Sequence, residues 1–163
     1  ELENLGGGIL LFNHMLIDVL EKTFEYGSTD FYISRRKIID IFAEGASRRK
    51  KNLIITKTFN FNQECEREEF ESYANMANIY NMRLVLVELH ASLDARIKRC
   101  HSNRRLLNKP SKRDINLSLS RMIKSFSTFQ YYPNFHIGDE IIRVSIDTEQ
   151  MTEYESANYI FSF

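Results

Sequence analysis

Tryptophan is absent from this 163-residue chain, cysteine and proline occur twice each, and glycine only six times. So few prolines and glycines exclude a collagen-like or low-complexity architecture and argue against extensive disorder. Cys65 and Cys100 are too few for a disulfide framework, and neither has the CxxC or Cys/His spacing of a zinc site. A reduced, cytoplasmic protein is the expectation. No apolar run approaches the roughly 20 residues that a membrane span requires, mean hydropathy is -0.37, and the opening residues carry no secretory signal pattern. Neither sign of charge prevails, since Lys plus Arg and Asp plus Glu each number 22. Without a global field or basic-aromatic interleaving, neither nucleic acid nor a membrane is an expected partner.

The length predicts one domain with a substantial core. Glu1 to Leu5 reads as the end of a helix closed by Gly6-Gly7-Gly8, glycine being favoured just past a helix end. Short, mainly apolar runs then recur: Ile9–Phe12, Leu53–Thr56, Leu84–Leu89 and Ile141–Ile146, the first of them continuous, the pattern of strands covered on both faces. Helical spacing lies between them. Met15, Leu16, Val19, Leu20 and Phe24 mark one helix, and 31–48 a second, with Phe31, Ile38, Ile39, Phe42 and Ala46 as its buried stripe. Further helices are predicted over 64–82, 93–100, 115–129 and 152–161. Phe70, Tyr73, Ala74, Ala77 and Tyr80 form the inner face of the first of these four. Gly27-Ser28-Thr29-Asp30 supplies capping chemistry, and Thr152 with Glu155 matches a capping box. Strands alternating with helices in this way predict an α/β fold with a parallel, doubly wound sheet.

In such sheets ligands bind beyond the carboxyl ends of the strands. Asn13 and His14, Thr56 and Lys57, His90, and Asp147 and Thr148 all fall there. Asp18 lies one turn past His14, so an imidazole and a carboxylate can share one cleft and accept a proton from a substrate hydroxyl. The alternative is that His14 caps the helix and Asp18 is only solvated. Arg96, Arg99, Arg104, Arg105, Lys109 and Lys112 concentrate positive charge after the third strand. They form either a solvated face or a phosphate-binding set, because guanidinium groups pair with phosphate oxygens. Arg48-Arg49-Lys50-Lys51 sits at a helix end, where cations offset the macrodipole. Tyr131 and Tyr132 read as core. No GxGxxG, Ser-His-Asp elbow or metal-ligand cluster is present. Gly6-Gly7-Gly8 is not a phosphate loop, for it lacks the following Lys-Ser/Thr and precedes a strand.

The order of LLFNHMLID, LVELHASLDARIKRCHSNRRLL and VSIDTEQMTEYESANYI resembles P-loop nucleoside- and shikimate-kinase-like phosphotransferases, the group that includes chloramphenicol phosphotransferase-like proteins. The resemblance covers most of the chain. It implies a three-layer sandwich with a parallel sheet, ATP and Mg²⁺ as cofactors, a small-molecule hydroxyl acceptor as partner, and a lid at about 101–114. Arg99 matches the arginine beside the adenine, and Asp147 and Thr148 match the loop bordering the base. Arg105 matches the lid arginine that reaches the phosphates, with Arg104 and Lys109 as helpers. Asn13, His14 and Arg36 would line the acceptor side, with Asp18 as general base and His14 second. These enzymes open with a strand, a GxxxxGK[ST] loop and a helix. That first strand and loop are absent from the 163 residues, and the expectation is a parent protein carrying them upstream, without which the chain would be inactive.

Overall fold

Polar side chains cap the starts of four helices among the described residues. Ser28 Oγ accepts from Phe31 N at 3.2 Å, Ser92 Oγ from Ala95 N at 3.2 Å, and Asp114 Oδ1 from Leu117 N at 2.9 Å. Thr152 and Glu155 close the expected capping box, each side chain bonding the other's backbone amide. The computed structural model describes residues 1–6, 8–102, 106 and 113–163. Among these the order is α1 (Leu2–Gly6), β1 (Ile9–Phe12), α2 (Asn13–Leu20), α3 (Thr29–Arg48), β2 (Leu53–Thr56), α4 (Glu64–Ile79), β3 (Val85–His90), α5 (Leu93–Cys100), α6 (Ile115–Thr128), β4 (Ile142–Asp147) and α7 (Glu153–Phe161). Helix α4 stops three residues short of the expected Met82. Asn81 there adopts a left-handed φ of 52°, a conformation in which asparagine commonly ends helices.

The chain is mixed α/β, and all strand pairing is parallel. The four strands do not form one sheet, however. Ile9 to Phe12 pair with Leu53 to Thr56, and Val85 to His90 with Ile142 to Asp147, as two separate two-stranded sheets. Strands β2 and β3 are each bonded along one edge only among the described residues, which is why the expected continuous sheet is interrupted between them.

Two hydrophobic clusters lie under these sheets. Leu11, Leu16, Ile17, Leu20, Phe31 and Ile39 form the first with Tyr73 of α4, and Phe61, Phe70 and Ile141 form the second. Phe59 packs against both, stacking on Phe61 at 4.9 Å between ring centroids and meeting Tyr73 edge-on at 6.3 Å. Helix α4 therefore covers both sheets, with Tyr73 in one cluster and Phe70 in the other. On the opposite face of β4, Val144 and Ile146 are also buried. Helix α1 packs on α7, where a Cβ on Gly6 would fall 1.8 Å from the Phe161 ring. No helix among the described residues is long and apolar enough to cross a membrane.

Burial separates core from surface along α3, where Phe31 is 1% exposed and Ile41 65%. Phe31→Ala should lower the unfolding free energy by about 3–5 kcal/mol and Ile41→Ala by less than about 0.5 kcal/mol, read from urea denaturation.

Candidate functional site

The carboxyl ends of β1 and β2 carry a buried charge cluster. Asn13 is the first residue of α2, whose N-cap is Phe12, so His14 lies inside the helix and does not cap it. Asn13 N donates to Thr56 Oγ1 at 3.3 Å, tying the two strand ends together. Asn13 Oδ1 accepts from Arg35 Nη1 at 3.3 Å. The arginine that meets Asn13 is thus Arg35, 5% exposed, whereas the expected Arg36 faces solvent. Helical spacing carried the signal: Arg35 stands four residues from both Phe31 and Ile39 and so shares their buried stripe. His14 and Asp18 are half-buried, one turn apart.

Arg35 also pairs with Glu69, which accepts from Tyr73 Oη at 2.8 Å and pairs through its other oxygen with Lys57. Glu66 Oε2 is 2.8 Å from the same Lys57 Nζ and makes a second ion pair with it. The Lys57 and Arg35 side chains are each 6% exposed. Two cations and two carboxylates thus neutralise one another away from water, as burial of charge requires. Burial pushes the Lys57 ammonium down from 10.5 to about 8, against the opposing pull of Glu66. Glu66 and Glu69, three residues apart on α4, escaped the sequence reading because a polar helix is by default a solvated one.

At the ends of β3 and β4, Arg99 meets Thr148. Its Nη1 donates to Thr148 Oγ1 at 2.7 Å and its Nη2 to Thr148 O at 2.9 Å. Thr148 Oγ1 and N in turn donate to His90 O at 2.9 and 3.0 Å. Arg99 of α5 is therefore joined to Thr148 and His90, two residues that the sequence placed at strand ends. Asp147 is exposed beside them. Arg104, Arg105 and Lys109 lie outside the described residues, as does most of the expected lid. Beneath β3, Glu88 is buried and lies 2.8 Å from Arg143 Nη2.

A cavity of about 380 Å³ opens at these same strand ends, lined by His90, Arg96, Phe126, Tyr131, Tyr132 and Asp147 among others. His90 stacks on Tyr132 at 4.1 Å between centroids. The tyrosines expected in the core are therefore walls of a cavity, a placement visible only once the 129–132 segment is seen to cross the end of β3. No group of three or more His, Cys, Asp or Glu among the described residues is arranged to hold a metal ion. The chain matches no protein-family model, and neither a curated protein nor a solved structure matches it.

Lys57 gives the cluster a pH signature. Its folded pKa near 8 lies below the unfolded 10.5, so between these values the unfolded chain holds more protons and stability rises with pH. The contribution is fully present above pH 10.5 and lost as pH falls through 8. The rise should reach up to about 1.4 kcal/mol per pH unit, and should vanish in Lys57→Met when unfolding free energy is measured across that window.

Proposed function

We propose that the chain is the body of an ATP-dependent small-molecule kinase, transferring the γ-phosphoryl group to an acceptor hydroxyl. The observation that carries the reading is the two-pronged bond from Arg99 to Thr148. The resemblance asks an arginine of α5 and the loop after the last strand to border one base, and these residues, 49 apart in sequence, are in contact. The division of the strands into two parallel pairs adds support. A strand seated between β2 and β3 would join the pairs, and the resemblance expects one more strand, the one that leads into the Walker A loop.

In this reading Arg99, Asp147 and Thr148 border the base, while Arg104, Arg105 and Lys109 close over the phosphates. Asn13, held by Arg35 and Thr56, lines the acceptor side with His14 and Arg36. Asp18, or His14 in its place, takes the proton of the acceptor hydroxyl as its oxygen attacks phosphorus and the bond to the leaving ADP oxygen breaks. Arg99, Asp147 and Thr148 are the residues this reading offers to the base end of ATP. No group of acidic or imidazole side chains among the described residues is arranged to hold Mg²⁺, which in such enzymes neutralises charge on the phosphates. The two free cysteines, Cys65 and Cys100, support the expected cytoplasmic location.

A second reading has its own observation. The 163 residues contain no GxxxxGK[ST] loop, whose amides and Lys cradle the phosphates. In this second reading the chain is a non-catalytic nucleotide-binding or protein-interaction module of the same fold.

Calorimetric titration of ATP with magnesium into the full-length protein separates the readings. Saturable binding is expected, weakened about tenfold by Arg99→Ala, as loss of a charge-assisted bidentate contact implies, with phosphate transfer to at least one member of a panel of sugars, nucleosides and hydroxy acids. Binding without transfer to any acceptor selects the non-catalytic module, and no nucleotide binding at all sinks the kinase.

A further inference from the structure

The cavity at the ends of β3 and β4 has a chemistry that the phosphotransferase reading does not use. Its walls are aromatic: the stacked His90–Tyr132 pair, then Tyr131, Phe126 and Phe129, the last two each 39% exposed. Tyr131 Oη is bonded to Ser125 Oγ at 2.9 Å and Tyr132 Oη to Leu89 O at 3.1 Å. Both hydroxyls are thereby engaged and the rings held in place, so the faces rather than the phenols are offered to the cavity.

Arg96 stands among these rings. Its Nε donates to Ala91 O at 3.1 Å. Its guanidinium carbon lies 5.2 Å from the centre of Phe126 and 4.9 Å from that of Tyr131, within the range of a cation–π contact. No carboxylate among the described residues forms an ion pair with it. The acidic groups on the lining are engaged locally: Glu149 accepts from Ser92 N at 2.6 Å and from Ser92 Oγ at 3.1 Å, and Asp147 Oδ1 accepts from Glu149 N at 2.9 Å. A half-buried guanidinium oriented by a carbonyl and two rings, and in an ion pair with no carboxylate among the described residues although Asp147 and Glu149 line the same cavity, is placed for a paired contact with an oxyanion. The cavity volume of about 380 Å³ falls within the range of small-molecule sites.

We propose that this cavity binds a small molecule with a planar aromatic ring bearing one anionic oxygen group, the ring against Tyr131 and the His90–Tyr132 stack and the anion on Arg96. The class comprises aryl carboxylates and aryl phosphates, which present the same ring and the same charge. Neither ATP nor turnover is required, so the site stands or falls apart from the kinase.

Because the chain lacks tryptophan, its fluorescence comes from eight tyrosines, and the signal of this cavity is the part of the quenching that Tyr131→Leu abolishes. Benzoate and phenyl phosphate should each quench it saturably below millimolar concentration. Benzyl alcohol, which lacks the charge, and cyclohexanecarboxylate, which lacks the ring, should bind at least about tenfold more weakly. Arg96→Met should weaken benzoate about tenfold and leave benzyl alcohol unchanged, with its thermal melt by circular dichroism confirming the fold. If that variant melts early, Tyr132→Phe keeps the ring, removes the bond to Leu89, and should retain benzoate binding while Tyr131→Leu loses it. Equal binding of the charged and uncharged aromatics, unchanged benzoate affinity in Arg96→Met, or no saturable quenching by either aryl anion overturns the proposal.

Discussion

The structure depends on one helix covering two sheets. Parallel pairs of only two strands are weak units, since parallel pairing is stable chiefly in sheets with both faces covered. Here β1–β2 and β3–β4 share no hydrogen bond, and α4 joins them by sending Tyr73 into one cluster and Phe70 into the other. Phe59, against both clusters, closes the seam. The loop that carries it is fixed to the far side of the molecule, where Phe61 N donates to Gln130 O at 2.8 Å and Gln130 N to Asn60 Oδ1 at 3.1 Å. The segment lining the aromatic cavity is thus anchored through the first sheet's own exit loop.

Neutral overall composition conceals a local division of charge. At the β1–β2 end the ions are buried and matched, Arg35 and Lys57 against Glu66 and Glu69. At the β3–β4 end the cations Arg96 and Arg99 lean on rings, carbonyls and a hydroxyl. The first arrangement fixes geometry, because removing either partner leaves a buried charge exposed to no solvent. The second leaves positive charge available to something from outside.

Much of the fold was legible in the chain. The mainly apolar runs located all four strands to within a residue, and caps such as Ser28 and Thr152 located helix starts, because both signals are local. Phe42 in the predicted stripe of α3 proved 37% exposed, while Arg35 took a place in it; hydropathy ranks an arginine outside, and only the facing Glu69 reverses that. The interruption between β2 and β3 could not be read, since a strand's composition reports that its faces are covered and says nothing about its edges. The Arg99–Thr148 contact was legible only through resemblance, while the Arg96 cavity depends on a non-local crossing of the 129–132 segment that no periodicity encodes.

The hydroxyl of Thr148 has a single proton, and it is committed to His90 O. Towards Arg99 the same oxygen can act only as an acceptor. The three groups therefore form a chain of fixed polarity running from guanidinium to hydroxyl to strand carbonyl, in which each bond strengthens the next. Serine could replace threonine without reversing it, whereas valine would remove both hydroxyl bonds and leave only the two made by the backbone of residue 148. The end of β3 and the exposed face of α5 consequently form one electrically aligned unit, and a charge arriving at Arg99 is felt at the backbone of His90.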